Sequence, residues 1–238
     1  MEKSMPNQQL QLAREFVRTT DHSVFLTGKA GTGKTTFLHS LKQDLPKRMV
    51  VTAPTGVAAI NAGGVTLHSF FQLPFGPFVP GGEAERQAAA HRLNRQKRDI
   101  IQGLDLLVID EISMVRADML DAVDEVLRRF RDHRRPFGGV QLLMIGDLHQ
   151  LPPVVRQEDW EVLSRFYDTP YFFGSRALGQ TDYISIELKH IYRQSDPEFI
   201  ALLNKVRGSS LDEESLRKLN SRFVADFRPP GEDGYITL

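Results

Sequence analysis

Apolar residues fall into two alternating kinds of stretch along the chain. Residues 23–27, 49–53, 104–109 and 140–145 are short, nearly continuous apolar blocks, the pattern of parallel strands buried on both faces. Elsewhere apolar positions keep helical spacing. Leu10, Ala13, Phe16 and Val17 follow an N-cap candidate at Asn7; Phe37, Leu38 and Leu41 form a second set. Met119, Leu120, Val123, Val126, Leu127 and Phe130 form a third. Strand and helix in turn predict an α/β domain with a mostly parallel sheet flanked by helices. One stretch breaks the rhythm. Residues 72–82 carry Pro74, Gly76, Pro77, Pro80, Gly81 and Gly82, which can neither continue a helix nor sit inside a sheet, so an excursion is expected. A polar helix over 83–101, with Arg86, Arg92, Arg95, Lys97 and Arg98 on a solvated face, should follow it.

The first strand runs into Gly28-Lys29-Ala30-Gly31-Thr32-Gly33-Lys34-Thr35, which fits the phosphate-binding loop G-x-x-x-x-G-K-[ST] in its required strand–loop–helix setting. Backbone N–H groups of such a loop point inward at phosphate oxygens, and the helix N-terminus adds positive potential. Gly28, Ala30, Gly31, Thr32, Gly33, Lys34, Thr35 and Thr36 are therefore the expected nucleotide-binding residues. Lys34 should reach the β- and γ-phosphates, and the Thr35 hydroxyl should sit on Mg²⁺. The strand at 104–109 delivers Asp110 and Glu111 at its carboxyl end, the Walker B arrangement. Asp110 is expected to hold Mg²⁺ and Glu111 to deprotonate the attacking water; on a strand, neighbours face opposite ways, which suits two roles. Gln150, after the strand at 140–145, could sense the γ-phosphate. Asn204-Lys205-Val206-Arg207 lacks the acid of a guanine-reading sequence, which argues against a GTPase. Among Gln8, Gln9 and Gln11, an amide could read adenine through its paired donor and acceptor.

Residues 54–71 follow another strand end, where open α/β sheets carry ligands. Thr55, Gly56, Thr66 and His68 suit the phosphates of an extended polymer. Packing is the competing account for the same stretch, with Leu67, Phe70 and Phe71 buried. Formal net charge is zero, so any nucleic-acid surface must be local. The absence of cysteine excludes disulfides and thiolate zinc sites. Polar residues at the start and no apolar run of spanning length lead us to expect a soluble, cytoplasmic protein without membrane contact.

Together these motifs resemble the Pif-one type of DNA helicases, in the RecD-like branch of superfamily 1. The resemblance rests on the phosphate loop, on residues 53–59 and 63–71, on Ile109-Asp110-Glu111-Ile112-Ser113-Met114 and on Pro136-Phe137-Gly138-Gly139. It continues through residues 146–154, Leu188-Lys189-His190-Ile191-Tyr192-Arg193-Gln194 and the helix of Phe199, Leu202, Leu203 and Val206. It implies a RecA-like ATPase domain over residues 1–208, with an inserted wedge and helix at about 72–103. Residues 209–238 would be a linker and the start of a second RecA-like domain, otherwise missing. Implied cofactors are ATP and Mg²⁺; implied partners are single-stranded DNA and DNA junctions, bound by a monomer. By resemblance Gln9 reads adenine, and Lys34, Glu111, Gln150 and Arg193 are catalytic. Phe75 and Phe78 would meet DNA where the duplex splits. The implied activity is ATP-driven translocation and unwinding in the five-to-three-prime direction. A nucleotide-gated DNA clamp or loader subunit is the alternative, and an inert scaffold a third.

Overall fold

The computed structural model describes residues 7–83, 85–86, 93–192 and 196–225. The chain divides into two compact units, Met1–Arg193 and Gln194–Leu238. The first boundary therefore falls at 193, whereas the sequence reading extends the ATPase domain to 208.

In the first unit the order is α1 (Gln8–Thr19), β1 (Ser23–Gly28), α2 (Lys34–Asp44), β2 (Met49–Ala53), α3 (Gly56–Asn61), β3 (Val65–Thr66) and α4 (Leu67–Phe71). Then come α5 (Arg95–Gly103), β4 (Leu106–Ile109), α6 (Ala117–Phe130), β5 (Gln141–Gly146), α7 (Gln157–Leu163) and β6 (Tyr183–Leu188). Six strands form one sheet in the order β3-β2-β4-β5-β1-β6, with every pair parallel. The expected parallel α/β sheet is what forms. Its pleat sorts the strand residues between two cores. Phe25, Leu107, Ile109, Leu142 and Met144 face α4 and α6. Val24, Leu26, Leu106, Val108, Leu143 and Ile145 face α1 and α2. The edge strand β6 buries only Ile186 and Leu188.

Helix α6 does more than cover the sheet. Its aspartates at 118, 121 and 124 recur every three residues, and so share one stripe. Asp118 accepts the Phe78 N–H at 2.9 Å and both Arg116 Nε and a terminal Arg116 nitrogen, at 2.8 and 2.7 Å. Asp121 accepts from Tyr167 Oη, Ser175 Oγ and the backbone N–H groups of Arg176 and Ala177. Asp124 accepts the Phe137 N–H and Arg128 Nε. Each carboxylate fastens a different segment to one helix. Burial pushes the Asp124 carboxyl up, and the bonds from Phe137 and Arg128 oppose that rise.

The 72–82 stretch leaves the sheet as expected, but it is not detached. Leu73 and Phe78 are buried in the main core, and Val79 packs with Ala117, Leu163 and Tyr167. The helix expected over 83–101 shows its second part as α5, N-capped by Asn94 through Lys97 N–H; residues 87–92, with Arg92, lie outside the described residues. In the second unit, α8 (Pro197–Arg207) is capped by Asp196 and α9 (Glu213–Asn220) by Asp212, with Lys205 bridging to Asp212 and Ser215.

Asp121→Ala should destabilise the fold by about 3 kcal/mol, because it strands several donors that burial keeps from water. Glu125→Ala, on the exposed face of the same helix, should stay within about 0.5 kcal/mol. Urea unfolding of the two variants checks this; equal effects would refute the stapling role.

Candidate functional site

The carboxyl ends of β1, β4 and β5 lie side by side because the strands are parallel and adjacent. Each hands its chain to one part of the site. A cavity of about 640 Å³ opens there, lined by residues 30–36 together with Glu111, Gln150 and Tyr192.

The phosphate loop is braced from within. Thr32 is buried and donates its hydroxyl to the Lys29 carbonyl at 2.8 Å. The Lys34 ammonium donates to the Gly28 and Lys29 carbonyls at 2.6 and 3.1 Å, and Tyr192 N–H ties down the Gly31 carbonyl at 2.8 Å. Gly33 stands before α2 with φ 90, a left-handed turn that swings the chain into the helix. The backbone N–H groups at the start of α2 face the cavity end of the loop, the arrangement that suits phosphate. Thr35 and Thr36 are exposed beside them.

Asp110 leaves the end of β4 and Glu111 follows with φ 51 and ψ 44. The chain thus leaves β4 through a left-handed turn at Glu111 rather than continuing the strand pleat that the sequence reading assumed. That turn costs a side-chain-bearing residue about 1–2 kcal/mol. Burial raises the Asp110 carboxyl, with Lys34 opposing. Burial also raises Glu111, helped by the charges of Asp110 and Asp147 and opposed by Lys34. A carboxylate held above its ordinary range is a better proton acceptor. The Thr35 hydroxyl and the Asp110 carboxylate are hard oxygen donors, which fits Mg²⁺, an ion that takes one or two protein oxygens and completes its shell with water and phosphate.

Gln150 is exposed, and its amide donates to Asp147 Oδ2 at 3.4 Å, while Asp147 Oδ1 accepts the His149 N–H at 3.1 Å. This loop presses on the Glu111 turn. A Cβ on Gly146 would come within 2.9 Å of Ile112 Cγ2 and 3.2 Å of the Ile112 and Ser113 nitrogens. Asp147 and Tyr192 are thus part of the site, although the sequence reading gave neither a role. A buried acid just beyond a buried strand was the available signal for Asp147.

A second, mostly apolar cavity of about 490 Å³ lies between α1 and α2, where Leu10, Phe37 and Tyr192 offer flat or aliphatic surface to a base. Gln11 lines it. Gln9 is half-buried in the first turn of α1, its N–H capped by Asn7 Oδ1 at 3.0 Å, and is not part of that lining. Arg193 lies outside the described residues, as do residues 226–238.

The residues expected to meet a polymer gather beyond β2 and β3. Thr55 caps α3 by accepting the Ala58 N–H at 3.2 Å, and Thr66 caps α4 by accepting the Ser69 N–H at 3.1 Å. Gly56 is exposed at the start of α3. His68 is half-buried under Phe75, which is 89 % exposed. Phe78 is different: its ring is packed in the core, so it presents no face to a ligand.

Comparison with known proteins places these motifs in context. The family model of the PIF1-like helicase matches residues 7–214. The ATP-dependent DNA helicase PIF1 of Homo sapiens is 36% identical over 228 residues, covering 92% of this chain and 33% of that protein. The same-named protein of Saccharomyces cerevisiae is 36% identical over 203 residues, covering 83% of this chain and 22% of that protein. A crystal structure of the Pif1 helicase from Bacteroides, in complex with ADP-AlF3 and ssDNA, superposes with a TM-score of 0.90 at 41% identity, covering 98% of this chain and 53% of that one. A structure of two coordinating Pif1 helicases at forked dsDNA gives a TM-score of 0.86 at 44% identity, covering 92% and 52%. The chain thus spans about half of these solved chains and a third or less of these two curated relatives.

Gly33→Ala should cost about 1–2 kcal/mol, since the left-handed turn penalises a Cβ even where space is available. If the loop takes phosphate, the change should also abolish a rise in melting temperature on adding Mg-ATP. A parent-like thermal shift would show that the loop tolerates another conformation.

Proposed function

Since the chain belongs to the PIF1-like helicase family, we propose that it is the ATP-binding motor domain of a DNA helicase. In this reading it binds Mg-ATP in the cavity at the strand ends and passes single-stranded DNA over residues 54–75. The observation that carries the reading is the convergence of the phosphate loop, Glu111 and Gln150 on one cavity. The polymer-facing residues sit at the same ends of the neighbouring strands β2 and β3. Names and ligands of the relatives support the same assignment: ATP-dependent DNA helicases, and one bound to a nucleotide analogue and ssDNA.

The chemistry follows from the residues. Lys34 trades its contacts with the loop carbonyls for phosphate oxygens, so its charge is held in place before nucleotide arrives. Thr35 and Asp110 would hold Mg²⁺, which supplies Lewis-acid stabilisation of phosphate charge. Glu111 takes a proton from water as its oxygen attacks the γ-phosphorus, while the bond to the β–γ bridging oxygen breaks and ADP leaves. Gln150 orients that water, steadied by Asp147. Gly146 leaves no space for a side chain against Ile112 and Ser113, so the Gln150 loop and the Glu111 turn pack closely.

We take the DNA-binding unit to be one copy of the protein, working inside the cell where ATP is supplied. Unwinding in the five-to-three-prime direction is part of the same proposal. A clamp or loader would bind DNA under nucleotide control with little turnover.

Glu111→Gln, in the protein that carries this chain, should keep ATP binding and lower DNA-stimulated hydrolysis by about 10²–10⁴-fold. Lys34→Ala should weaken binding and hydrolysis together. Steady-state ATPase with and without single-stranded DNA reads both. Parent-rate turnover by Glu111→Gln would remove it from the role of base, and turnover indifferent to DNA would remove the motor.

The threonines give a separate check. Thr66→Ala should lose about 1 kcal/mol of stability as a lost N-cap. It should also weaken oligo-dT and oligo-dC alike, since phosphates carry no sequence information. A loss confined to one base sequence would argue against a phosphate contact.

A further inference from the structure

Among the described residues Phe75 is the most exposed large apolar side chain, at 89 %, yet it is held in place. Its ring lies over the His68 imidazole with centroids 5.4 Å apart and planes inclined by 17°. The backbone on its C-terminal side is fixed at two points. A terminal nitrogen of Arg116 donates to the Gly76 carbonyl at 3.0 Å, and Asp118 accepts the Phe78 N–H at 2.9 Å. Those two side chains form a two-pronged ion pair with side-chain exposures of 14% and 1%. Phe78, two residues on, is locked into the core. An aromatic ring that could have collapsed onto the apolar core is instead propped into solvent.

We propose that Phe75, backed by His68, is a stacking platform for an unpaired nucleobase, and that Arg116 and Asp118 are its positioning residues. This rests on the single-strand binding proposed above and specifies how one part of that surface works. Three observations select a base as the occupant rather than a phosphate. The outward surface is the flat face of a hydrocarbon ring. Its support is a second flat ring, nearly parallel to it. Burial, with Arg116 close by, pulls the His68 imidazole below its ordinary range against the pull of Asp118, so the support favours its neutral form. Arg116, whose charge acts on His68, is committed to Asp118 and to the Gly76 carbonyl. Stacking on an aromatic ring is tolerant of sequence, because every base has a π-face. The platform thus adds affinity that does not depend on counterion release, beside the phosphate contacts at Thr55 and Thr66.

The test uses two fluorescent oligonucleotides of equal length, oligo-dT and an abasic strand with the same phosphates, titrated with the chain and read by anisotropy. The parent should prefer oligo-dT. Phe75→Ala, an exposed change that should melt at the parent temperature, is expected to weaken oligo-dT roughly tenfold and leave the abasic strand unchanged, with the salt slope of binding preserved. Phe75→Tyr should restore the preference. Asp118→Asn and Arg116→Gln should lose the preference while still binding the abasic strand, an effect that general loss of stability would not produce. As a signature of stacking, Phe75→Trp in a Trp160→Phe background should be quenched by oligo-dT and not by the abasic strand. If the parent binds neither strand, the single-strand reading fails and the platform falls with it. If the parent binds and Phe75→Ala keeps the preference, or weakens both strands equally, the platform alone is overturned.

Discussion

Three carboxylates on one helix organise this domain. Asp118, Asp121 and Asp124 of α6 sit on a single stripe, and each accepts backbone N–H groups from a different segment. A helix covering one face of a parallel sheet needs only apolar residues for that task, and α6 has them in Leu120, Val123 and Leu127. The aspartates solve another problem. Long connections between parallel strands expose backbone groups that burial would leave unpaired, and a buried carboxylate accepts several at once. Asp118 fixes the loop that lifts Phe75; Asp121 fixes the approach to β6 around residues 167–177; Asp124 fixes the turn that feeds β5. The β4, β5 and β6 connections thereby acquire one common reference.

Function depends on that fixity because the site is assembled from strand ends. No single element holds it. The phosphate loop comes from β1, the acid pair from β4 and the Gln150 loop from β5, and the proposed hydrolysis would require their close relative placement. The last two approach so closely that Gly146 has no room for a side chain against Ile112 and Ser113. Charge is arranged the same way: Asp110, Glu111 and Asp147 crowd together, with Lys34 as the opposing cation. Such crowding of negative charge is what a bound cation would offset.

Much of this was legible in the sequence. Buried parallel strands write themselves as continuous apolar blocks, and β1, β2, β4 and β5 were readable for that reason. The phosphate loop and the Asp110-Glu111 pair carry their chemistry in residue type and spacing, so their positions could be named beforehand. Strand β6 was missed, although Ile184, Ile186 and Leu188 alternate with Tyr183, Ser185 and Glu187; a half-exposed edge has a weaker apolar signature than a central strand. Phe75 and Phe78 look equivalent in a proline-rich stretch, and only the fold decides that one is core and the other surface. The aspartate stripe was hidden because charges on an amphipathic helix ordinarily mark its solvated face. Likewise, the left-handed turn at Glu111 was hidden, because no propensity assigns one to glutamate.

Hydrogen–deuterium exchange with and without Mg-ATP tests the central claim most directly, because it locates binding along the chain without assuming any role for a residue. Protection should appear together at residues 28–36, 110–114 and 146–151, the three strand ends. Residues 20–23 and 135–140, at the opposite, amino ends of β1 and β5 around a separate cavity, should be unchanged. Protection at those amino ends, or at the phosphate loop alone without the β4 and β5 segments, would contradict a site built jointly from the three strands.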